Sequence, residues 1–185
     1  ANYKGNNILR GRINTENCSA QFIASYSSRS TGGPENVFVD RQRDILVSAN
    51  YDQGTVTAFR ISDETEMWSS NVGQAHGVSI LGDIVYATGL SERKIYKLSI
   101  KDGKHLASKG TLGWDPANAE FIWPTSIFPL DNEHLIVSDA QSGFISVVSS
   151  ETLEVVRFTG GNGPSFNLFN YPYSAVPYSK GVAVV

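Results

Sequence analysis

His76, Glu35 and Asn36 are the side chains whose types and positions could hold an ion or move a proton. An imidazole and a carboxylate can ligate zinc or calcium, and an imidazole can serve as a base near neutral pH. Both heads of chemistry open short apolar segments, Gly33-Pro34-Glu35-Asn36-Val37-Phe38 and Gln74-Ala75-His76-Gly77-Val78-Ser79. One imidazole and one carboxylate fall short of a zinc site, and Glu35 with Asn36 would serve calcium only within a larger set of oxygens. The plainer expectation for His76 is a hydrogen bond to a neighbouring loop. A second group of residues offers contact area instead of reactivity: Tyr51, Trp114, Trp123, Phe166, Phe169, Tyr171 and Tyr173. Aromatic side chains bury much surface at small entropic cost. Phe121, Phe166 and Trp123 are also candidates for filling gaps in a core. Asp139 is expected to bond backbone amides, and Cys18, with no nearby His, to be a buried or edge thiol. Ser91-Glu92-Arg93-Lys94 matches Ser-x-x-Lys but lies in a polar turn, and the nucleophile-elbow, phosphate-loop, zincin and Cys-x-x-Cys patterns are missing from the sequence.

These residues sit in a repeating frame. The blocks 32–39, 74–80, 122–127 and 170–176 each open a short alternating segment, and each is followed by a second apolar run at 45–48, 84–87, 135–138 and 181–184. Aligning Pro34, His76, Pro124 and Pro172 gives intervals of 42, 48 and 48 residues. A period of that size containing only strand signals predicts a β-propeller, one four-stranded blade per repeat. Strands a to d are expected at 37–40, 45–49, 55–61 and 66–71, at 78–81, 84–88, 94–100 and 105–109, and at 125–130, 135–138, 144–148 and 155–159. The a strands should lie innermost. No segment sustains a helical period, so the chain should be almost entirely β.

The ends carry half blades. Segments 7–13 and 20–27 match positions c and d, while 174–177 and 181–185 match a and b. The 185 residues are therefore read as one all-β domain: half blade 1–31, blades 32–73, 74–121 and 122–169, and half blade 170–185. Either the two halves share a blade in a closed four-bladed ring, or the array belongs to a larger, six-bladed one; the second reading is preferred.

Gly160-Gly161-Asn162-Gly163, Phe166, Pro172 and Gly181-Val182-Ala183-Val184, with Gly113, Glu120-Phe121, Pro124 and Leu135-Ile136-Val137-Ser138-Asp139, resemble the NHL repeat. That pattern runs from glycines through a Phe and a Pro to an Asp closing strand b. The chain departs from it at Ala49 and Thr88, which take the place of the Asp, and at His76, which takes the place of the Pro. Gly33-Pro34-Glu35 and Gly54-Thr55-Val56-Thr57 are also similar to the gluconolactonase and lactonase propellers, a likeness that implies calcium in the pore.

A net charge of −3, with no cluster of Lys and Arg, argues against nucleic acid as a partner. No apolar stretch approaches the roughly 20 residues that span a bilayer. Asn17-Cys18-Ser19 is a glycosylation sequon, compatible with a secreted chain. Short charged turns (40–44, 62–65, 101–104, 131–133) fall on one face of the expected blades, and longer aromatic loops (109–123, 159–171) on the other. The leading expectation is a non-catalytic binding module without a cofactor. It presents His76, Trp114, Trp123, Tyr173 and Tyr51 to a protein or a carbohydrate-like ligand. The alternatives are a calcium- or zinc-dependent propeller hydrolase or lyase such as a lactonase, with Glu35, Asn36 and His76 near the ion, and a structural blade set within a larger protein.

Overall fold

The structure is a computed structural model that describes residues 3–163, 168–179 and 181–185. Among the described residues it contains three four-stranded antiparallel sheets. The first comprises β3 (Pro34–Asp40), β4 (Ile45–Asn50), β5 (Thr55–Arg60) and β6 (Glu66–Asn71). The second comprises β7 (Ala75–Leu81), β8 (Ile84–Gly89), β9 (Lys94–Ser99) and β10 (His105–Lys109). The third comprises β13 (Pro124–Pro129), β14 (His134–Asp139), β15 (Phe144–Ser149) and β16 (Val155–Gly160). Two-stranded antiparallel sheets flank them, β1 (Ile8–Asn14) with β2 (Ser19–Tyr26) and β17 (Ala175–Tyr178) with β18 (Gly181–Val184). These two end sheets are separate, so the termini do not join in one shared blade.

Burial follows strand position. The b strands β4, β8 and β14 are buried almost throughout, whereas the d strands β6, β10 and β16 are largely exposed. The first strands of successive blades meet, β3 against β7 and β7 against β13, with β17 next to β13. The a strands therefore gather round the axis, as expected. Close approach there requires a small residue: a Cβ on Gly77 would lie 2.9 Å from both Ser126 Cα and the Thr125 carbonyl of the next blade.

The cores lie between blades, because each sheet can bury a face only against its neighbour. Val47 and Val56 pack on Val78, Ile80 and Val85 of the second blade. Trp68 spans the same interface and donates its indole N–H to the Ile100 carbonyl at 2.9 Å. Tyr86 and Ile95 pack on Phe121, Ile127 and Leu135, so Phe121 fills a gap between blades as expected. The half blades dock in the same way, Ile8, Ala24 and Tyr26 on Leu46 and Phe59, and Ala175 on Ile136 and Ile145.

Four features differ from the expectation. The loop before β13 contains a short parallel pair, β11 (Thr111–Leu112) with β12 (Glu120–Phe121), around a one-turn 3-10 helix, Pro116–Asn118. Asp115 holds that turn by accepting from the Ala117 N–H and the Asn118 side-chain amide. Cys18 is exposed in the β1–β2 turn, because its φ of 54° is a turn conformation outside the ladder. The charged turns do more than solubilise: Asp40, Asp63, Asp102 and Asp131 each accept a backbone N–H two residues on, which folds the hairpin locally.

The fourth difference concerns alignment. Pro34 pairs with Asn50, Ala75 with Gly89 and Pro124 with Asp139, so the position matching the prolines is Ala75 and not His76. For the same reason the counterparts of Asp139 are Asn50 and Gly89, one residue beyond Ala49 and Thr88. The anchor alignment on Pro34, His76, Pro124 and Pro172 is thus off by one in the second repeat, while each a strand carries a β-bulge directly after its opening residue.

Candidate functional site at the axis mouth

The bulges decide which side chains reach the mouth. A bulge leaves one strand with a residue unpaired and re-aims its side chain. Glu35 and Thr125 lie in the register breaks of β3 and β13, and His76 and Gly77 in that of β7. In the fourth repeat the residue after Pro172 is Tyr173. Glu35, His76, Thr125 and Tyr173 are thus the same position taken from four successive repeats.

His76, Thr125 and Tyr173 form one hydrogen-bonded group. His76 Nδ1 lies 2.9 Å from the Thr125 carbonyl oxygen, and His76 Nε2 lies 2.8 Å from the Tyr173 hydroxyl. A carbonyl can only accept, so Nδ1 carries the proton, and Nε2 accepts from Tyr173. The Thr125 hydroxyl donates to the Tyr173 carbonyl at 2.7 Å. Tyr51 and Tyr173 stand edge-on to the imidazole, with centroids at 6.3 and 5.1 Å. Glu35 is exposed above them, and its charge acts on both His76 and Tyr173.

Burial holds the His76 pKa below the ordinary histidine value, against the opposing pull of the Glu35 charge and the Thr125 hydrogen bond. Burial and the Glu35 charge both push the Tyr173 phenol up. His76 is accordingly a neutral pin between the second blade, the third and the C-terminal half blade. This arrangement has a pH consequence. A base whose folded pKa is depressed is taken up by protons first in the unfolded chain, so folding stability is complete above the ordinary value of 6.5 and declines as pH falls through the folded value. Wild type should therefore lose more stability than His76→Gln between pH 7.5 and 5.5, read as the difference in urea midpoint. Equal losses would show that His76 is not held neutral by the fold.

Trp123 and Tyr171 form a neighbouring edge-to-face pair with centroids 5.7 Å apart. Tyr171, Tyr173 and Glu35 are exposed, while Trp123 and Tyr51 are half-buried. Trp123 Nε1 and Asn36 Oδ1 are buried without a hydrogen-bond partner among the described residues. Trp114 is exposed, two residues before the Pro116–Asn118 turn, which contacts β16, the outer strand of the third blade. Phe169 is partly buried against Ile136 and Ala175, and Phe166 lies outside the described residues.

Asp139 has the expected structural role. Its carboxylate accepts from the backbone N–H groups of Ile122, Trp123 and Ser142 at 2.6, 2.8 and 3.2 Å, which seats the loop that leads into the mouth. Thr125, missed as a partner of His76, contributes through its backbone carbonyl, a group that residue type does not reveal. Shifting the repeat alignment by one residue is the signal that would have found it.

The donor set does not fit a metal. Both His76 nitrogens are engaged, and Glu35 and Asn36 offer at most three side-chain oxygens where calcium takes six to eight. Among the described residues no three His, Cys, Asp or Glu side chains converge.

No family model matches the chain, and no curated protein matches it. Solved structures do match, and they agree on the architecture. The β-propeller domain of Cps50 (Swd1) from Myceliophteria thermophila superposes with a TM-score of 0.69 at 12% identity, covering 99% of this chain and 59% of that one. BamB from Moraxella catarrhalis superposes with a TM-score of 0.64 at 16% identity, covering 89% of this chain and 50% of that one. The computationally designed Ika8 protein gives 0.63 at 14% identity, covering 90% and 46%. The chain folds as a β-propeller array. It spans about half the length of the solved structures it matches, between 41% and 59%.

Proposed function

We propose that this chain is a non-catalytic propeller binding module of NHL-like type, which takes a protein or carbohydrate-like ligand at the axis mouth. The observation that carries the reading is the convergence of Glu35, His76, Thr125 and Tyr173 from four repeats, flanked by Tyr51 and the Trp123–Tyr171 pair. Exposed aromatic rings beside a carboxylate provide stacking faces and an acceptor, the chemistry that grips sugar hydroxyls or peptide side chains. Nothing in the group is poised to react. The imidazole spends both nitrogens on holding blades together, and the Tyr173 hydroxyl spends its proton on the imidazole.

The anchors are Tyr173, Tyr171 and Trp123, with Tyr51 behind them; Trp114 is left as a peripheral contact. Screening against arrays of oligosaccharides and of peptides should yield binders whose affinity falls by about 1–3 kcal/mol for Tyr173→Ala and for Trp123→Ala. Lys101→Ala, in a charged turn of the opposite face, should leave it unchanged. Binding that survives both aromatic substitutions but fails in Lys101→Ala would place the ligand on the other face. The module needs no ion, so neither EDTA nor added calcium should shift its Tm. A calcium-dependent rise of several degrees would restore the lactonase-like alternative.

A further inference from the structure

Glu35 differs from other acidic side chains of the blades. Asp40 lies 2.6 Å from Arg43, Asp63 3.6 Å from Arg60 and Glu92 3.4 Å from Lys94, whereas Glu35 takes part in no ion pair among the described residues. It is exposed at the axis mouth, and its charge reaches His76 of the second blade and Tyr173 of the C-terminal half blade. Both of those side chains are neutral, so neither offsets the carboxylate. Tyr51 and Tyr171 share this neighbourhood, since both act on the Tyr173 phenol alongside Glu35. The three rings are held in place by the protein itself. Tyr173 donates its hydroxyl to His76 Nε2 at 2.8 Å, Tyr51 packs edge-on against the same imidazole, and Tyr171 packs edge-on against Trp123. Tyr171 moreover takes a φ of 64°, a left-handed conformation that is rare for a bulky residue, so its loop holds the ring there against a backbone preference.

We propose that the axis mouth takes a basic side chain, lysine or arginine, of a protein partner. This rests on the binding-module reading above and narrows it to one ligand chemistry. A phenol ring presents a negative π face that attracts a cation, and a ring already fixed in place loses little freedom in doing so. An unpaired carboxylate supplies the counter-charge, through charge-assisted hydrogen bonds from an ammonium or a guanidinium. Sugar hydroxyls would use the rings and leave the charge uncompensated, and an acidic segment would be repelled by it. The exposure of Glu35 favours a side chain carried on a protein over a free cation. A solvent-screened ion pair is worth at most about fivefold in affinity, so further contacts around the mouth must come from the body that carries the cation.

Peptide pools with random flanks around a fixed central Arg, Lys, Gln or Glu test the proposal on the purified chain at low salt. The Arg and Lys pools should retain the chain about tenfold better than the Gln and Glu pools, and the difference should shrink at high salt. Glu35→Gln should weaken the selected basic peptides by about fivefold with an unchanged Tm, because Glu35 is exposed and bears no ion pair among the described residues. Equal retention by all pools, or selected peptides that bind Glu35→Gln as tightly as wild type, would overturn the proposal. So would N-acetylarginine amide binding as tightly as the selected peptides, since the ligand would then be a free cation. An oligosaccharide or acidic peptide whose binding is lost in Tyr173→Ala, with folding checked by circular dichroism, would overturn this inference and keep the mouth as the ligand site. Probes that all bind Tyr173→Ala as they bind wild type would overturn both readings.

Discussion

Val47→Asp is expected to leave the chain unfolded at room temperature. Val47 lies in the middle of β4 with no solvent exposure, inside the cluster that joins the first blade to Val78, Ile80 and Val85 of the second. An unpaired carboxylate there finds no cation or donor, and the cost is several kcal/mol even after the group neutralises itself by taking up a proton. A domain of this size is stable by only ~5–15 kcal/mol, and the lost methyl packing adds to the deficit. Leu106→Asp makes the control. Leu106 is 50% exposed on the outer strand β10, where a charge should change stability by about 0.5 kcal/mol or less. Circular dichroism and thermal melting of the two variants give the comparison, and a Val47→Asp protein melting within a few degrees of wild type would mean that β4 is turned over.

Asp139→Ala should cost about 3–5 kcal/mol, the largest effect expected from any single polar substitution. Asp139 is 2% exposed and is the acceptor for three backbone N–H groups from two separate loops. Removing it strands those donors, and each buried unsatisfied group costs about 1–3 kcal/mol before the loops relax. Asp139→Asn keeps one side-chain oxygen and should fall between wild type and Ala in urea unfolding. Because Ile122 and Trp123 lead into β13, Asp139→Ala should also weaken ligand binding at Trp123 by more than its loss of stability explains. If Asp139→Asn and Asp139→Ala were equally unstable, the carboxylate would be serving by charge and shape and not as a hydrogen-bond acceptor.

The contrast between these two positions shows how information is divided along the chain. Val47 was legible as a buried b-strand residue because alternation and repetition are properties of residue type, and the position recurs as Tyr86 and Ile136 in the ladder register. The strand order, the near absence of helix, the innermost a strands and the backbone-bonding role of Asp139 follow from the same regularities. Local turn chemistry was legible for a related reason, since an Asp that bonds the amide two residues on needs no distant partner.

The site itself was decided by tertiary structure. His76 was singled out by its type, yet its proline alignment was wrong by one residue, because matching residue types does not show which residues pair across the ladder, and the pairing sets Ala75 opposite Gly89. Once the bulges are in place, Glu35, His76, Thr125 and Tyr173 come together from sequence separations of 41, 49 and 48 residues, and the bonds that join them include main-chain carbonyls that no residue identity announces. Sequence periodicity therefore determined the blades, since each strand's burial depends on its own pattern. Which side chains share the mouth depended on the register between blades, a property of backbone hydrogen bonding across the axis that only the folded chain contains.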